Sequence, residues 1–382
     1  MTDAAQKKKL LYVVNVDWAY LSHRKPLGLA ARKAGFEVHL ATRVTDRQKE
    51  IEAMGITVHP LPLDRGYAGP LEMLTSAKAM YDVYRKIQPD VVHLVTIKPV
   101  LLGGIAARLA RVPKVVAAVP GLGYIFMSSG LKATFRRWAV ILLYKLALSS
   151  SKVTVIFQNT DDRDTLLSHH IVHNDQVVMI KGSGVDLTEY RPTPEPEGTP
   201  VVVLPARLLA DKGIYEFVEA ARLVKGAGVS ARFCLVGAID TGNPTALKES
   251  EVTSWCQEGV IEHWGHRSDM PTVLEQANIV ALPSYREGLP KALIEAAACA
   301  RAVVTTDTSG CRDAILAGET GLLVPVKDAK ALAEATKELI TQPAKRHAMG
   351  TKGRRLAEET FDIQNVIQKH MVIYRGDEKR GP

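Results

Sequence analysis

Two carboxylates stand eight positions apart in Ser284-Tyr285-Arg286-Glu287-Gly288-Leu289-Pro290-Lys291-Ala292-Leu293-Ile294-Glu295. The apolar run Ile279–Leu282 precedes them, so Glu287 is expected on a loop at the carboxyl end of a strand. Pro290 suits the opening of a helix. That places Glu295 inside the helix, followed by Ala296-Ala297-Ala298 and so away from a charged solvent face. Such a pair can accept hydrogen bonds from sugar hydroxyls, while the amides of Gly288 and Leu289 can face phosphate near the helix start. Loop and helix carboxylates are also common as plain solvated side chains, so spacing alone leaves both readings open.

Opposite charge comes from Pro205-Ala206-Arg207-Leu208-Leu209-Ala210-Asp211-Lys212-Gly213, which follows another buried-type strand. A departing diphosphate needs positive charge where its own negative charge grows. Arg207 offers a fork to phosphate oxygens and Lys212 a point charge.

The first half holds a second set. Ser22-His23-Arg24 is read as opening the first helix, with Ser22 as N-cap or with His23 and Arg24 facing an anion. His93 lies within the strand Val91–Val95 and is read as structural, whereas Lys98 sits in the loop beyond it. Gly121-Leu122-Gly123-Tyr124 follows a strand over 115–119 and can let backbone approach a diphosphate. The segment Leu131–Leu148 carries Lys132, Phe135, Arg136, Arg137 and Trp138 in its first turns, and then only Lys145 as charge. A basic, aromatic front on an apolar helix is the pattern of an interfacial helix on anionic lipid, although a buried helix also reads this way. Asp162-Arg163-Asp164 lies in a charged helix start, where capping is expected rather than metal binding.

These residues need elements to hold them. The chain has 382 residues, enough for two domains with a core each. Continuous β-branched runs predict parallel strands covered on both faces over 10–16, 37–41, Val91–Val95, 115–119 and Val153–Phe157. A second series covers Val201–Pro205, 231–236, 260–264, Ile279–Leu282, 303–305 and Gly321–Val324. Helices are expected between them, over 24–34, 215–225, 289–300 and 329–339 among others. The fold class is α/β, with two Rossmann-like, doubly wound parallel sheets and ligands expected in a cleft beyond the strands' carboxyl ends. The proline-rich stretch 187–200 reads as a linker. Domains are therefore expected at 1–190 and 191–360, with residues 361–382 as a terminal helix returning toward the first domain.

Composition narrows the class. Four cysteines without C-x-x-C spacing argue against a disulfide framework or a structural zinc. No apolar run reaches ~18 residues without charge, and the run after Lys9 is too short for a signal peptide. The net charge of +8 divides into +9 for residues 1–190 and −1 for the rest, and no Asp or Glu occurs between Val91 and Thr160. A nucleic-acid partner is disfavoured, because the positive charge is not interleaved with stacking aromatics and no RNA or DNA module is visible.

The combination of Glu287-x7-Glu295, the Arg207/Lys212 loop, Gly182-Ser183-Gly184-Val185-Asp186 and Gly318-Glu319-Thr320-Gly321-Leu322-Leu323-Val324 resembles the retaining GT-B glycosyltransferases of the large family 4, the group 1 transferases. The resemblance covers nearly the whole chain. It implies that Glu287 lies near the donor sugar, that Glu295 holds the nucleotide's ribose hydroxyls, and that Arg207 and Lys212 bind the diphosphate. Ser22-His23-Arg24, Ile97-Lys98-Pro99, Gly121-Leu122-Gly123-Tyr124 and Phe157-Gln158-Asn159 resemble a bacterial subgroup that extends polyprenyl-diphosphate-linked glycans. One departure is that the strand before the glycine loop ends Ala117-Ala118-Val119-Pro120, where many members carry a His.

The implied activity is retaining transfer of a hexose or N-acetylhexosamine, such as GalNAc, from a UDP-sugar to a polyprenyl-diphosphate-linked sugar. His23, Arg24, Lys98, Gly121, Gly123 and Tyr124 are the acceptor-side candidates. Lys132, Phe135, Arg136, Arg137 and Trp138 are the membrane-side ones. No metal or other cofactor is expected, nor a nucleic-acid partner. The expected location is the cytoplasm, peripherally on the inner face of the cell membrane. A GDP-sugar donor is the nearest alternative, and a UDP-sugar 2-epimerase of the same architecture a more distant one.

Overall fold

A computed structural model describes residues 7–63, 69–119, 121–122 and 131–377, with backbone only for 131–136. The chain divides into two compact units, residues 1–183 with 366–382, and residues 184–365. The division falls at Ser183/Gly184, ahead of the proline-rich stretch, and the last part of the terminal helix groups with the first unit.

The first unit is built on β1 (Lys9–Val16), β2 (Glu37–Arg43), β3 (Thr57–Pro60), β4 (Val91–Val95), β5 (Lys114–Val119), β6 (Val153–Phe157) and β7 (Val177–Met179). They form one parallel sheet in the order β3-β2-β1-β4-β5-β6-β7. Leu10 to Val14 and all of β4 and β6 are buried, as strands covered by helices on both faces must be. The sequence reading missed β3 and β7, the two edge strands. Each is short, and β3 carries His59 and ends in Pro60, residues that suit an edge but give no buried-strand signal.

The helix expected over 24–34 is Lys25–Lys33, and an unforeseen helix, Asp17–His23, precedes it. Pro26 stands in the first turn of Lys25–Lys33, where its missing N–H is harmless, and it cannot continue a helix from upstream. Ser22 therefore lies inside the first helix rather than capping one. Asp17 opens that helix and is fully buried. Its carboxylate accepts from Trp18, Thr45 and Arg47 amides and from the Thr45 hydroxyl at 2.7–3.2 Å, which ties the β2 loop to the end of β1.

The second unit contains β8 (Val201–Pro205), β9 (Arg232–Val236), β10 (Glu262–His263), β11 (Ile279–Leu282), β12 (Ala302–Thr306) and β13 (Gly321–Val324). All pair in parallel in the order β10-β9-β8-β11-β12-β13. Its expected helices are Ile214–Gly226, Lys291–Ala298 and Ala329–Thr341.

The stretch read as a linker is strapped to this unit. Arg301, only 1% exposed, donates to the Thr193 carbonyl and hydroxyl at 2.8 and 2.6 Å. Arg346 grips Glu195 at 2.6 and 2.8 Å, and Asn278 donates to Glu195 and to the Pro196 carbonyl. Prolines gave the stretch its irregular backbone, and these buried partners, distant in sequence, fixed its position.

Both sheets reverse strand order at one point, between β1 and β4 and between β8 and β11. Loops diverge there, and open α/β sheets bind ligands beyond the strand ends at such points.

Candidate functional site

In the second unit, loops leave β8, β11 and β12 side by side. The β8 loop makes a tight turn over Ala210–Lys212 and stops at Gly213, whose φ is +73°. A Cβ there would lie 2.2 Å from the Pro283 carbonyl oxygen, so only glycine lets this loop press on the one after β11. The Tyr285 amide donates to the Asp211 carbonyl at 2.9 Å and completes the junction.

That junction brings Lys212 onto Glu287, with Nζ donating to Oε1. Ser284 Oγ donates to the same oxygen at 2.8 Å. Both members of the pair are largely shielded, at 18% and 14% side-chain exposure. The sequence alone offers each to a phosphate or a sugar separately, and carries no sign of their contact across 75 residues.

A third segment fixes Glu287 from behind. Thr305 Oγ1 donates to the Leu282 carbonyl at 2.7 Å, Thr306 Oγ1 to that of Ser284, and Thr308 Oγ1 to that of Tyr285 at 3.0 Å. The Glu287 amide donates to the Ser309 carbonyl at 3.1 Å. Gly310 lies so close that a Cβ would come within 2.5 Å of the Glu287 and Gly288 carbonyl oxygens. The sequence reading passed over Thr305-Thr306-Asp307-Thr308-Ser309-Gly310. Its signal is a run of hydroxyls just past a buried strand. Cys311, wholly buried beneath, has its thiol pushed up to about 12 by burial and then by the Glu287 charge, so it is inert.

Arg207 is held elsewhere, its Nη1 donating to Asp240 Oδ2 at 2.6 Å. It is 44% exposed, so its fork is open to solvent. Asp240 comes from the β9 loop, which approaches because Gly237 has no Cβ to strike the Ala206 carbonyl. Glu295 is buried in the helix Lys291–Ala298, as its alanine neighbours suggested. Its carboxylate meets Lys291 Nζ at 3.0 Å and the Tyr190 hydroxyl. Burial, and then this carboxylate, raise the Tyr190 phenol far above its usual range, so it stays a donor. Gly288 and Leu289 lead into Pro290, the N-cap of the same helix.

In the first unit the switch point shows two features the sequence reading did not find. Register slips between Val14 and Val16, and Asn15 at the slip has a buried Oδ1 without a partner. Thr96, next after β4, holds φ at +78°, unusual for a β-branched residue, and its buried hydroxyl also lacks a partner. Asn15 was legible as a polar residue ending an apolar run, but Thr96 gave no signal. Lys98 follows and is half-buried. His23 is exposed in the last turn of its helix.

Arg24, by contrast, is 3% exposed and sits among Tyr12, Tyr374, His93 and His370 rather than at the surface. His93 Nδ1 meets the Tyr374 hydroxyl at 2.5 Å, in keeping with a structural role. Gly121 has φ +147°, while Gly123 and Tyr124 lie outside the described residues. Asn159 caps the helix Thr160–Ser168 by accepting from the Asp162 amide at 2.8 Å, and Asp162 accepts from the Asn159 side chain at 2.8 Å.

The helix Leu131–Leu148 has two faces. Tyr144, Ala147 and Leu148 are buried against the first unit's core. Trp138, Leu142 and Leu146, spaced by four, are exposed at 69%, 59% and 46%. Arg137 is half-buried, and the side chains of Lys132, Phe135 and Arg136 lie outside the described residues. Among the described residues no helix is long and apolar enough to cross a membrane.

Comparison with known proteins bears on both units. Residues 187–356 match the family described as glycosyl transferases group 1, and residues 9–160 the family described as glycosyl transferase 4-like. The chain is 27% identical over 364 residues to the N,N'-diacetylbacillosaminyl-diphospho-undecaprenol alpha-1,3-N-acetylgalactosaminyltransferase of Campylobacter jejuni, with 92% of this chain and 94% of that protein covered. It is 25% identical over 317 residues to the UDP-Gal:alpha-D-GlcNAc-diphosphoundecaprenol alpha-1,3-galactosyltransferase of Escherichia coli, with 79% of each covered. Among solved structures, sucrose-phosphate synthase from Thermosynechococcus elongatus superposes with a TM-score of 0.79 at 20% identity, covering 97% of this chain and 99% of the other.

Proposed function

The chain belongs with the glycosyl transferase 4-like family in its first unit and the glycosyl transferases group 1 in its second, and is thus a glycosyltransferase of the GT-B fold; from this we propose that it transfers a hexose or N-acetylhexosamine, such as GalNAc, from a UDP-sugar to a polyprenyl-diphosphate-linked sugar, with retention of configuration. The names of the two bacterial relatives support the acceptor class, and that of the second supports the donor nucleotide.

The observation that carries the reading is the Lys212–Glu287 pair at the switch point. Glu287, itself fixed by the Ser284 hydroxyl, holds the ammonium in place before any ligand arrives, so little reorganisation is needed when charge develops. On donor binding, Lys212 moves its hydrogen bonds to the diphosphate and frees Glu287 to accept from a sugar hydroxyl. Arg207 contributes its open fork to the same phosphates. The amides of Gly288 and Leu289 add donors, and Glu295 holds the ribose. As the bond to the anomeric carbon stretches, these cations stabilise the leaving diphosphate. The acceptor hydroxyl attacks from the same face and passes its proton to the departing phosphate, which needs neither a metal nor the family's His. His23, Lys98, Gly121, Gly123 and Tyr124 serve the acceptor, with Arg24 ordering their neighbourhood from within.

The exposed stripe of Trp138, Leu142 and Leu146 supports peripheral contact with the inner face of a membrane, where a polyprenyl acceptor resides. Lys132, Phe135, Arg136 and Arg137 extend that contact. The test is product analysis after incubation with UDP- and GDP-sugars and polyprenyl-diphosphate-linked acceptors. Transfer from a UDP-sugar to the lipid, with the anomeric configuration kept, is expected. Transfer only to a soluble acceptor, or only from a GDP-sugar, overturns the corresponding half.

A further inference from the structure

Away from the donor site, a recess of about 120 Å³ opens at the amino-terminal edge of the first sheet, floored by Ala107, Val115 and Ala147 and rimmed by Arg108, Arg111 and Lys152. We propose that it holds the phosphate of an anionic phospholipid headgroup, with the acyl chains beside the Trp138, Leu142 and Leu146 stripe. The proposal rests on the reading of that helix as a lipid contact and gives it a specific headgroup site.

Charge comes first. Among the described residues, none of the three cations forms an ion pair with a carboxylate. Arg108 donates to the Leu146 carbonyl at 3.4 Å and to Ser149 Oγ at 3.3 Å, both long for such bonds. The plain alternative is that these cations complement the carboxyl ends of the helices Gly104–Leu109 and Leu131–Leu148, which finish here. Two such ends together amount to roughly one negative charge. Three cations exceed that by about two, more than enough to neutralise the single charge of a phosphodiester headgroup.

Position and size agree. Arg111 has φ +59° just past the end of the helix Gly104–Leu109, a position that ordinarily takes glycine. That turn brings Arg111 to the lining of the recess. The recess is far below the roughly 300 Å³ of a pocket for a nucleotide-sized ligand, but it admits a phosphate group. Leu109, 68% exposed, and Leu146, 46% exposed, stand next in sequence to the lining residues Arg108 and Ala147, so exposed apolar side chains lie on the same two helices. The helix Leu131–Leu148 spans roughly 27 Å. Its sequence places Lys132, Arg136 and Arg137 at one end and the recess lies at the other.

The test is binding to vesicles of phosphatidylglycerol and phosphatidylcholine against phosphatidylcholine alone. It compares the full chain, the triple variant Arg108→Gln/Arg111→Asn/Lys152→Gln, and a control triple Lys33→Gln/Lys49→Gln/Lys86→Gln of exposed cations on other elements. Each basic residue against an anionic surface is worth roughly fivefold, so the recess triple is expected to lose at least tenfold in partitioning while the control stays within twofold. Should the triple unfold, Lys152→Gln alone is expected to lose about fivefold. Equal loss in both triples overturns the recess and leaves the lipid contact standing. Failure of the unsubstituted chain to bind anionic vesicles removes the lipid contact as well. If inorganic phosphate raises the thermal midpoint of the unsubstituted chain but not of the recess triple, and vesicles do not bind, the site is one for free phosphate and the lipid assignment falls.

Discussion

Among the described residues, the second unit holds several cations in pairs with carboxylates, and the first leaves several without one. Around the β8–β11 switch point, Lys212 meets Glu287, Arg207 meets Asp240 and Lys291 meets Glu295, and deeper in the same unit Arg346 meets Glu195. In the first unit, Arg24 is buried among tyrosines and histidines, and Arg108, Arg111 and Lys152 ring a recess. The net charges of −1 and +9 describe this difference without locating it. Paired cations are held in fixed geometry, which under the proposed function readies them to exchange a carboxylate for a phosphate. Unpaired ones give a surface that attracts anions over a Debye length. Under the proposed function, the contrast suits a nucleotide sugar bound in one unit and a lipid-linked acceptor in the other.

The comparison breaks most severely at a structural pair. Arg346→Met strands Glu195 in the strap with only Asn278 as partner, and is expected to destabilise the protein by about 3–5 kcal/mol, read from its denaturation midpoint. If the loss stays below ~1 kcal/mol, the strap does not depend on that pair.

Next in size is the leaving-group cation. Lys212→Ala is expected to lower kcat about 10²-fold or more with the fold intact, because charge stabilisation at a developing anion is lost. Unchanged turnover would remove Lys212 from the chemistry.

Acid sharpens the first unit's side. Burial, and then the Arg24 charge, push the His370 imidazole down to about 3 from a usual 6.5, and His93 is pushed down in the same way. Between those values the unfolded chain binds a proton that the folded chain does not, so stability falls as pH drops below about 6.5 and keeps falling toward 3. By pH 5 the His370 share is about 2 kcal/mol. His370→Gln is expected to flatten the dependence of the urea midpoint on pH between 7 and 5, and an unaltered slope would discard the assignment.

The smallest effect falls on the exposed member of the donor pair. Arg207→Ala is expected to cost at most about tenfold in kcat/KM, since Arg207 is 44% exposed and already shared with Asp240. A loss as large as that for Lys212 would show that Arg207 turns inward on donor binding.

Much of the fold was legible because a buried parallel strand needs a continuous apolar run. Val91–Val95, Val153–Phe157, Val201–Pro205, Ile279–Leu282 and Gly321–Val324 come out at the expected bounds. The edge strands β3 and β7 did not, because half-exposed strands have no such requirement. The helix expected over 24–34 is found as Lys25–Lys33, whereas the short helix Asp17–His23 before it has no signal in the sequence reading. For the site, the strand-then-loop order placed Lys212 and Glu287 at strand ends, and the alanine run after Glu295 announced its burial. Thr306 and Thr308 had only a run of hydroxyls past a strand as their signal, and nothing local announced Asp240 or Thr96.

The sequence by itself therefore determined which segments are strands, which carry chemistry and in which half the positive charge accumulates. These follow from short-range periodicity and counting. Only the tertiary structure decided which cation meets which carboxylate, that the proline stretch is a strap, that Arg24 is buried, and that one face of the helix Leu131–Leu148 is left uncovered. Those outcomes depend on strand order. Inserting β11 between β8 and β12 places loops 75 residues apart in hydrogen-bonding contact, and no local preference encodes that adjacency.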